Sequence, residues 1–239
     1  MHRVVDSVIE LCFWVFFIYV WFWDWTDSLM GTFGLCSDTP YINDIIQAYI
    51  FFVLMTFIES LLNIPWSVYA IFHIEEKYGF NKMTAGTFVC DEIKKFLILM
   101  VLMAIVIPLL LWLIAISGKA MVLTLAGSSI LIVILISLLV PTVIVPMFFE
   151  YTDLEEGELR TAIVNEAARC DVDVAEIKVI DGSKRSSHSN AFVTGFGSFR
   201  KVVLFDTLIA QHPVEEVVAV VNHELGHVVH NHIILQVIM

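Results

Sequence analysis

Charged residues are scarce in this chain, at 16% of 239 residues, whereas hydrophobic residues make up 59%. Soluble domains carry about 25% charged residues, so the composition indicates a membrane protein. The four cysteines lack zinc-ribbon spacing, and the first apolar segment lacks the basic start and the cleavage site of a signal peptide. The net charge of −12 argues against nucleic acid as a partner. The hydrophobic composition makes the lipid bilayer the expected surroundings.

Long apolar runs occupy the region 1–150, which we predict to be a transmembrane helical region. Four runs are candidate spans, at residues 8–23, 45–72, 96–117 and 121–149. Residues 24–44 are predicted as a linker and residues 73–95 as a polar cytosolic loop. We expect Pro65 to break the second run, because proline removes a helix hydrogen bond. The apolar residues 233–239 have the composition of the start of a fifth span.

Basic residues predict the orientation of these spans. Arg3, four lysines in 73–95 and seven Lys or Arg after residue 150 fall on one side of a four-span arrangement. The other side carries only Lys119. Since cytoplasmic loops are enriched in Lys and Arg, we expect the segment after residue 150 to face the cytosol.

Residues 151–239 have the pattern of a small α+β domain. An amphipathic helix is predicted at 154–170, and short β-type runs occur at 177–181, 190–194 and 202–205. A second helix is predicted at 214–232, with Pro213 placed to open it. The predicted fold is therefore a polytopic α-helical membrane protein with a cytosolic α+β domain.

The second helix carries the pattern H-E-x-x-H, formed by His223, Glu224 and His227. Residues four apart share one helix face, so both histidines can direct a ring nitrogen at one ion. Glu224 can reach a water at that ion as a general base. This pattern is typical of zincin metallopeptidases and predicts one Zn2+ per chain. The alternative is a polar helix face with two solvated histidines.

Several segments resemble the type I CAAX prenyl proteases, zinc metallopeptidases that process farnesylated proteins. The G-S-K-R-S-S-H-S-N-A string at residues 182–191 is more family-specific than H-E-x-x-H, which many proteases share. The other matching segments are at residues 62–69, 74–81, 93–96, 202–208 and 215–227. The resemblance covers nearly the whole chain.

The resemblance implies that the two histidines of H-E-x-x-H bind zinc and that its glutamate is the base. It also implies that Ser189, Asn190 and Ala191 lie on an edge strand beside the metal, where an extended peptide adds as another strand. The implied substrates are prenylated CAAX proteins, which lose their last three residues. The implied location is the endoplasmic reticulum membrane, or the inner nuclear membrane, with the site facing the cytosol.

The chain departs from the family at both ends. Its first apolar run matches the family's second span, and the family's third zinc ligand, a Glu in an E-x-x-x-D setting, is expected beyond Met239. A catalytic zinc normally has three protein ligands. Two alternatives therefore stay open: a non-catalytic membrane protein that binds prenylated tails, and a protease for quality control of membrane proteins.

Overall fold

The structure of the protein, a computed structural model, describes residues 22–195 and 199–230. The predicted span at 8–23 lies outside the described residues except for its last two positions. The apolar run at 233–239, predicted as the start of a fifth span, also lies outside them.

Eight α-helices occur in the described part of the chain. They are α1 (Phe22–Phe33), α2 (Pro40–Tyr69), α3 (Ala85–Ser117), α4 (Met121–Leu139), α5 (Val145–Phe148), α6 (Glu158–Arg169), α7 (Asp206–Gln211) and α8 (Val214–Val229). Two π-helical turns, Ala70–Glu75 and Val140–Ile144, continue α2 and α4. Helix therefore accounts for nearly all of the described chain before residue 149.

Three expectations about this helical region were wrong. The segment 24–44 is not a linker, because α1 covers its first half and ends before Gly34, whose φ is 65°. Irregular backbone covers only about residues 78–84 of the predicted loop 73–95, since α3 begins at Ala85. Pro65 lies inside α2 and does not end it. Membrane helices tolerate proline where other groups form hydrogen bonds with the backbone carbonyl that proline leaves unpaired.

Two helical stretches of the described chain are long and apolar enough to cross a membrane, Pro40–Glu75 and Ala85–Phe148. The second has 64 residues, about three times the roughly 20 that one crossing needs. It is interrupted at Gly118, which has a φ of 49° in a 3-10 turn. This left-handed conformation favours glycine, so the helix is interrupted between the predicted spans at 96–117 and 121–149.

The chain divides into two compact units, residues 1–65 with 94–124 and residues 66–93 with 125–239. In the first unit, polar side chains join apolar helices: the Tyr49 hydroxyl donates to the Met100 carbonyl at 3.1 Å, and the Tyr41 hydroxyl donates to the Pro108 carbonyl at 3.1 Å. Such bonds satisfy polar groups where lipid offers none.

The second unit contains a four-stranded sheet. Its strands are β1 (Tyr151–Asp153), β2 (Glu176–Ile180), β3 (Ala191–Thr194) and β4 (Lys201–Phe205), in the order β1-β2-β4-β3. β2 and β4 are parallel, whereas β1 and β3 pair antiparallel to their neighbours. The α+β prediction is thus confirmed for β2, β3 and β4, and β1 and α7 are additional elements.

One apolar core joins the sheet to α6 and α8. Ile163 and Ala167 of α6 contribute one side, and the sheet contributes Ile177, Val202 and Leu204. The third side comes from α8, whose buried residues are Val217, Val221 and Leu225. Because these three recur every four residues, one stripe of α8 faces the core and the rest of the helix is available for a site.

Candidate metal centre and peptide-binding edge

The H-E-x-x-H residues lie on the last two turns of α8. Pro213 precedes the helix, and Glu215 and Glu216 occupy its first turn, where the helix dipole favours negative charge. Leu225 lies between the two histidines in the sequence and is completely buried. Its burial fixes the rotation of the helix about its axis. His223 and His227 are exposed on the side away from the buried stripe.

The two histidine rings converge. The Nε2 atoms of His223 and His227 are 3.2 Å apart, and the ring planes are inclined by 86°. Nitrogens bound about 2.0–2.1 Å from a tetrahedral zinc are separated by roughly 3.3–3.4 Å. The observed spacing therefore fits two ligands of one zinc ion.

Glu224 directly follows His223 in the sequence, and its side chain is half-buried. Its carboxylate makes no hydrogen bond or ion pair within residues 22–195 and 199–230, so it is available to accept a proton from a water. No group of three His, Cys, Asp or Glu side chains in those ranges could hold a metal. The described residues thus provide two nitrogen ligands and a base.

A contact that the sequence did not indicate supports this helix from α6. The Asn222 amide donates to Glu166 Oε2 at 3.2 Å, and Arg169 donates to Glu166 Oε1 at 2.6 Å. Asn222 precedes the first histidine, so the contact ties the beginning of H-E-x-x-H to α6. Its signal is weak in the sequence, because 56 residues separate Asn222 from Glu166.

β3 is an edge strand of the sheet, next to α8. Of the three residues predicted to bind peptide, Ala191 begins β3, and Ser189 and Asn190 immediately precede it. The Asn190 carbonyl accepts the Phe205 N–H at 3.0 Å, so the backbone of Asn190 faces β4. By the alternation of an antiparallel ladder, the backbone groups of Ala191 and Val193 point away from the sheet.

The outward edge is partly occupied by the chain itself. The Ala191 N–H donates to Asn190 Oδ1 at 2.9 Å. Exposed strand edges attract further strands, and a local side-chain acceptor lowers that tendency. The outward carbonyl of Ala191 and both backbone groups of Val193 make this the edge on which a peptide strand can add.

The segment before β3 is held by charged groups. The Asp181 carboxylate accepts the Glu150 N–H at 2.7 Å and pairs with Lys184 Nζ at 2.8 Å. Burial raises the pKa of Asp181, but the Lys184 and Glu150 contacts outweigh it and hold this pKa below the ordinary value. The Asp181 carboxylate is therefore charged at neutral pH and connects the end of the helical region to the sheet.

Comparisons with known proteins agree with this architecture. Residues 1–150 match the CAAX prenyl protease N-terminal region, described as five membrane helices, and residues 153–239 match peptidase family M48. The M48 match implies a metal cofactor, typically zinc.

Related proteins match over most of the chain. "CAAX prenyl protease 1" of Saccharomyces cerevisiae is 38% identical over 201 residues, covering 82% of this chain and 44% of its own length. "Probable CAAX prenyl protease 1" of Schizosaccharomyces pombe is 34% identical and is covered over 45% of its length, with 90% of this chain matched. The chain thus spans about half the length of these relatives.

A solved structure matches in fold as well. The crystal structure of S. mikatae Ste24p superposes with a TM-score of 0.85 at 32% identity, covering 99% of this chain and 55% of that protein. The match includes both the helical region and the sheet with α8. On these findings, the chain belongs to the CAAX prenyl proteases of peptidase family M48, as a polytopic membrane protein.

Proposed function

We propose that this protein is a zinc metalloendopeptidase that removes the C-terminal three residues of prenylated CAAX proteins. The observation that carries the proposal is the 3.2 Å spacing of His223 Nε2 and His227 Nε2, on a helix that packs beside an open strand edge. The similarity to proteins named CAAX prenyl protease 1 supports the substrate class.

His223 and His227 would hold the zinc, together with a third protein ligand beyond Met239. Zinc in such a site polarises a peptide carbonyl and lowers the pKa of water. The Glu224 carboxylate accepts a proton from the attacking water and returns it to the leaving amine. The scissile peptide lies extended along β3, where it pairs with Ala191 and Val193, and Ser189 and Asn190 border its binding site.

The membrane arrangement is proposed from charge. The basic residues gather at 73–95, in the loop before α3 and in the helical residues on either side of it, and after residue 150, which supports a cytosolic site. The endoplasmic reticulum or inner nuclear membrane is proposed from the similarity to CAAX prenyl proteases. The stretch Ala85–Phe148 supports two crossings separated at Gly118, and Pro40–Glu75 supports one. A substrate whose prenyl group is in the bilayer would present its C-terminus on that same side.

One alternative is a non-catalytic membrane protein that binds prenylated tails. Cleavage of a farnesylated CAAX peptide distinguishes the two. We would compare the 239-residue chain with a longer protein that continues past Met239, both purified in detergent with zinc.

Peptide cleavage by the longer protein, abolished by His227→Ala, is the expected result. Zinc content measured on the same samples should fall in the variant, because one nitrogen ligand is lost. Binding of the peptide without cleavage by the longer protein would overturn the proposal and support the tail-binding alternative.

A further inference from the structure

The six residues before β3, Arg185–Asn190, form no helix or strand, yet contacts hold nearly every one of them. We define residues 185–190 as the lead-in segment. The Gln211 amide donates to the Ser187 carbonyl at 3.0 Å, and the Thr207 hydroxyl donates to the His188 carbonyl at 2.9 Å. Both donors lie on α7, so one side of the lead-in segment is fixed to the peptidase fold itself.

The other side of the lead-in segment contacts the turn before α3. The Lys82 N–H donates to the Arg185 carbonyl at 3.1 Å, and the Ser187 N–H donates to the Phe80 carbonyl at 2.9 Å. The rings of Phe80 and His188 stack with centroids 4.2 Å apart and planes inclined by 22°. Residues more than 100 positions apart thus form a short ladder next to the start of β3.

An ion pair closes this contact. Arg185 Nε and Nη2 donate to the two carboxylate oxygens of Asp91 at 2.8 and 3.1 Å. The side chains are only 7% exposed for Asp91 and 14% for Arg185. The guanidinium also lies 4.6 Å from the centroid of the Phe149 ring. This two-bond geometry fixes the direction of the Arg185 side chain as well as its position.

Burial distinguishes this pair from eight other ion pairs among the described residues. In each of those eight, at least one partner is a third or more exposed. Exposed pairs contribute little to stability, whereas removing one partner of a buried pair leaves an uncompensated charge. The Asp91 carboxylate is therefore the contact of the lead-in segment whose loss should displace it most.

We propose that Asp91 is a positioning residue for the peptide-binding edge. By fixing Arg185, it fixes the path of the lead-in segment and hence where β3 begins beside α8. Asp91 contacts neither the histidines nor the outward edge of β3, so it acts through Arg185 alone. The inference rests on the proposed function, because it assigns to β3 the role of holding the substrate peptide.

The parent protein for the test is the longer protein that continues past Met239, carrying Glu224→Gln so that peptide binding is measured without cleavage. Asp91→Asn is then introduced into this parent. Asparagine keeps the size of aspartate and removes its charge. Asp91→Glu is the conservative variant, and Asp153→Asn is the matched control. Asp153 lies on β1, at the opposite edge of the same sheet, pairs with Lys178 of β2 and is 75% exposed.

Three quantities are measured on each variant: affinity for a farnesylated CAAX peptide, zinc content, and hydrogen exchange of backbone amides. For Asp91→Asn we expect about tenfold weaker peptide binding, since a shift of about 1 Å at a binding edge has effects of this size or larger. Amides 186–194 should exchange faster, whereas zinc content and the protection of α8 stay unchanged. Asp91→Glu should recover part of the affinity, and Asp153→Asn should match the parent.

Unchanged exchange at 186–194 in Asp91→Asn would overturn the inference. Equal loss of protection in β3 and α8 together with lost zinc would also overturn it, because Asp91 would then act as a general stabiliser. If the parent binds no peptide at all, the proposed function fails. The amide exchange then still decides whether Asp91 positions β3.

Discussion

Replacing Gly182 with alanine tests how tightly the turn before the lead-in segment packs against the sheet. Gly182 is buried, and a Cβ atom there would lie 2.4 Å from Phe205 Cδ1 and 3.1 Å from Cε1. Carbon atoms pack best at about 3.5–4.0 Å, so the Phe205 ring would have to move by about 1 Å. That ring lies at the end of β4, with its centroid 6.4 Å from that of Phe149.

Overpacking of this kind costs about 1–3 kcal/mol of unfolding free energy. For a domain of 150–250 residues, each kcal/mol lowers the melting temperature by about 2–4 °C. We therefore expect Gly182→Ala to unfold roughly 2–12 °C below the parent in a thermal scan of detergent-purified protein. Peptide affinity should fall as well, because the Phe205 N–H holds the Asn190 carbonyl at the start of β3.

Gly86→Ala is the matched control. A Cβ at Gly86 meets only Thr84 Oγ1, at 3.9 Å, and the residue lies in the first turn of α3. Alanine is a better helix former than glycine by up to about 1 kcal/mol, so this variant should be equal to the parent or slightly more stable. A Gly182→Ala protein that melts with the parent would refute the argument, since it would show that the Phe205 ring yields without cost.

Two further variants test the packing and the electrostatics of the second unit. Leu225→Ala should lower the unfolding free energy by about 2–5 kcal/mol, because Leu225 is fully buried. Val229→Ala, at an exposed position of the same helix, should change the unfolding free energy little. Equal melting temperatures for the two variants would contradict the assigned core. Asp181→Asn should destabilise the protein at neutral pH, where its contacts with Lys184 and Glu150 are present. The folded-state pKa of Asp181 is lowered, so its stabilisation is complete above the ordinary aspartate pKa and is lost as the pH falls through the folded-state value. Melting temperature against pH should therefore converge for variant and parent in acid, and parallel curves would show that Asp181 is not the group responsible.

Local sequence patterns were sufficient to predict the helices and strands whose residues recur at regular spacing. The run after Pro213 predicted α8, and the four-residue spacing of the histidines predicted that both ring nitrogens lie together on one helix face. The β-type runs likewise predicted β2, β3 and β4. In each case the signal lies within one element, where periodicity reports burial directly.

Other parts depend on contacts that no local pattern contains. β1 has three residues, too few to show alternation, and forms because Tyr151 and Asp153 pair with β2. α7 has six residues, too few to show a helical period in the sequence. The Asp91–Arg185 pair joins residues 94 positions apart. A single sequence offers no signal for such a pairing, since acidic and basic residues are common in both segments.

The measurement that tests the central claim most directly is identification of the peptide products by mass spectrometry. A farnesylated CAAX peptide would be incubated with the zinc-loaded full-length protein and with its Glu224→Gln variant. We predict release of the C-terminal tripeptide by the parent, and a loss of about 100-fold or more in rate for the variant, because the general base is removed. Equal cleavage by both proteins, or cleavage at another bond, would contradict the assignment of Glu224 and of the substrate class.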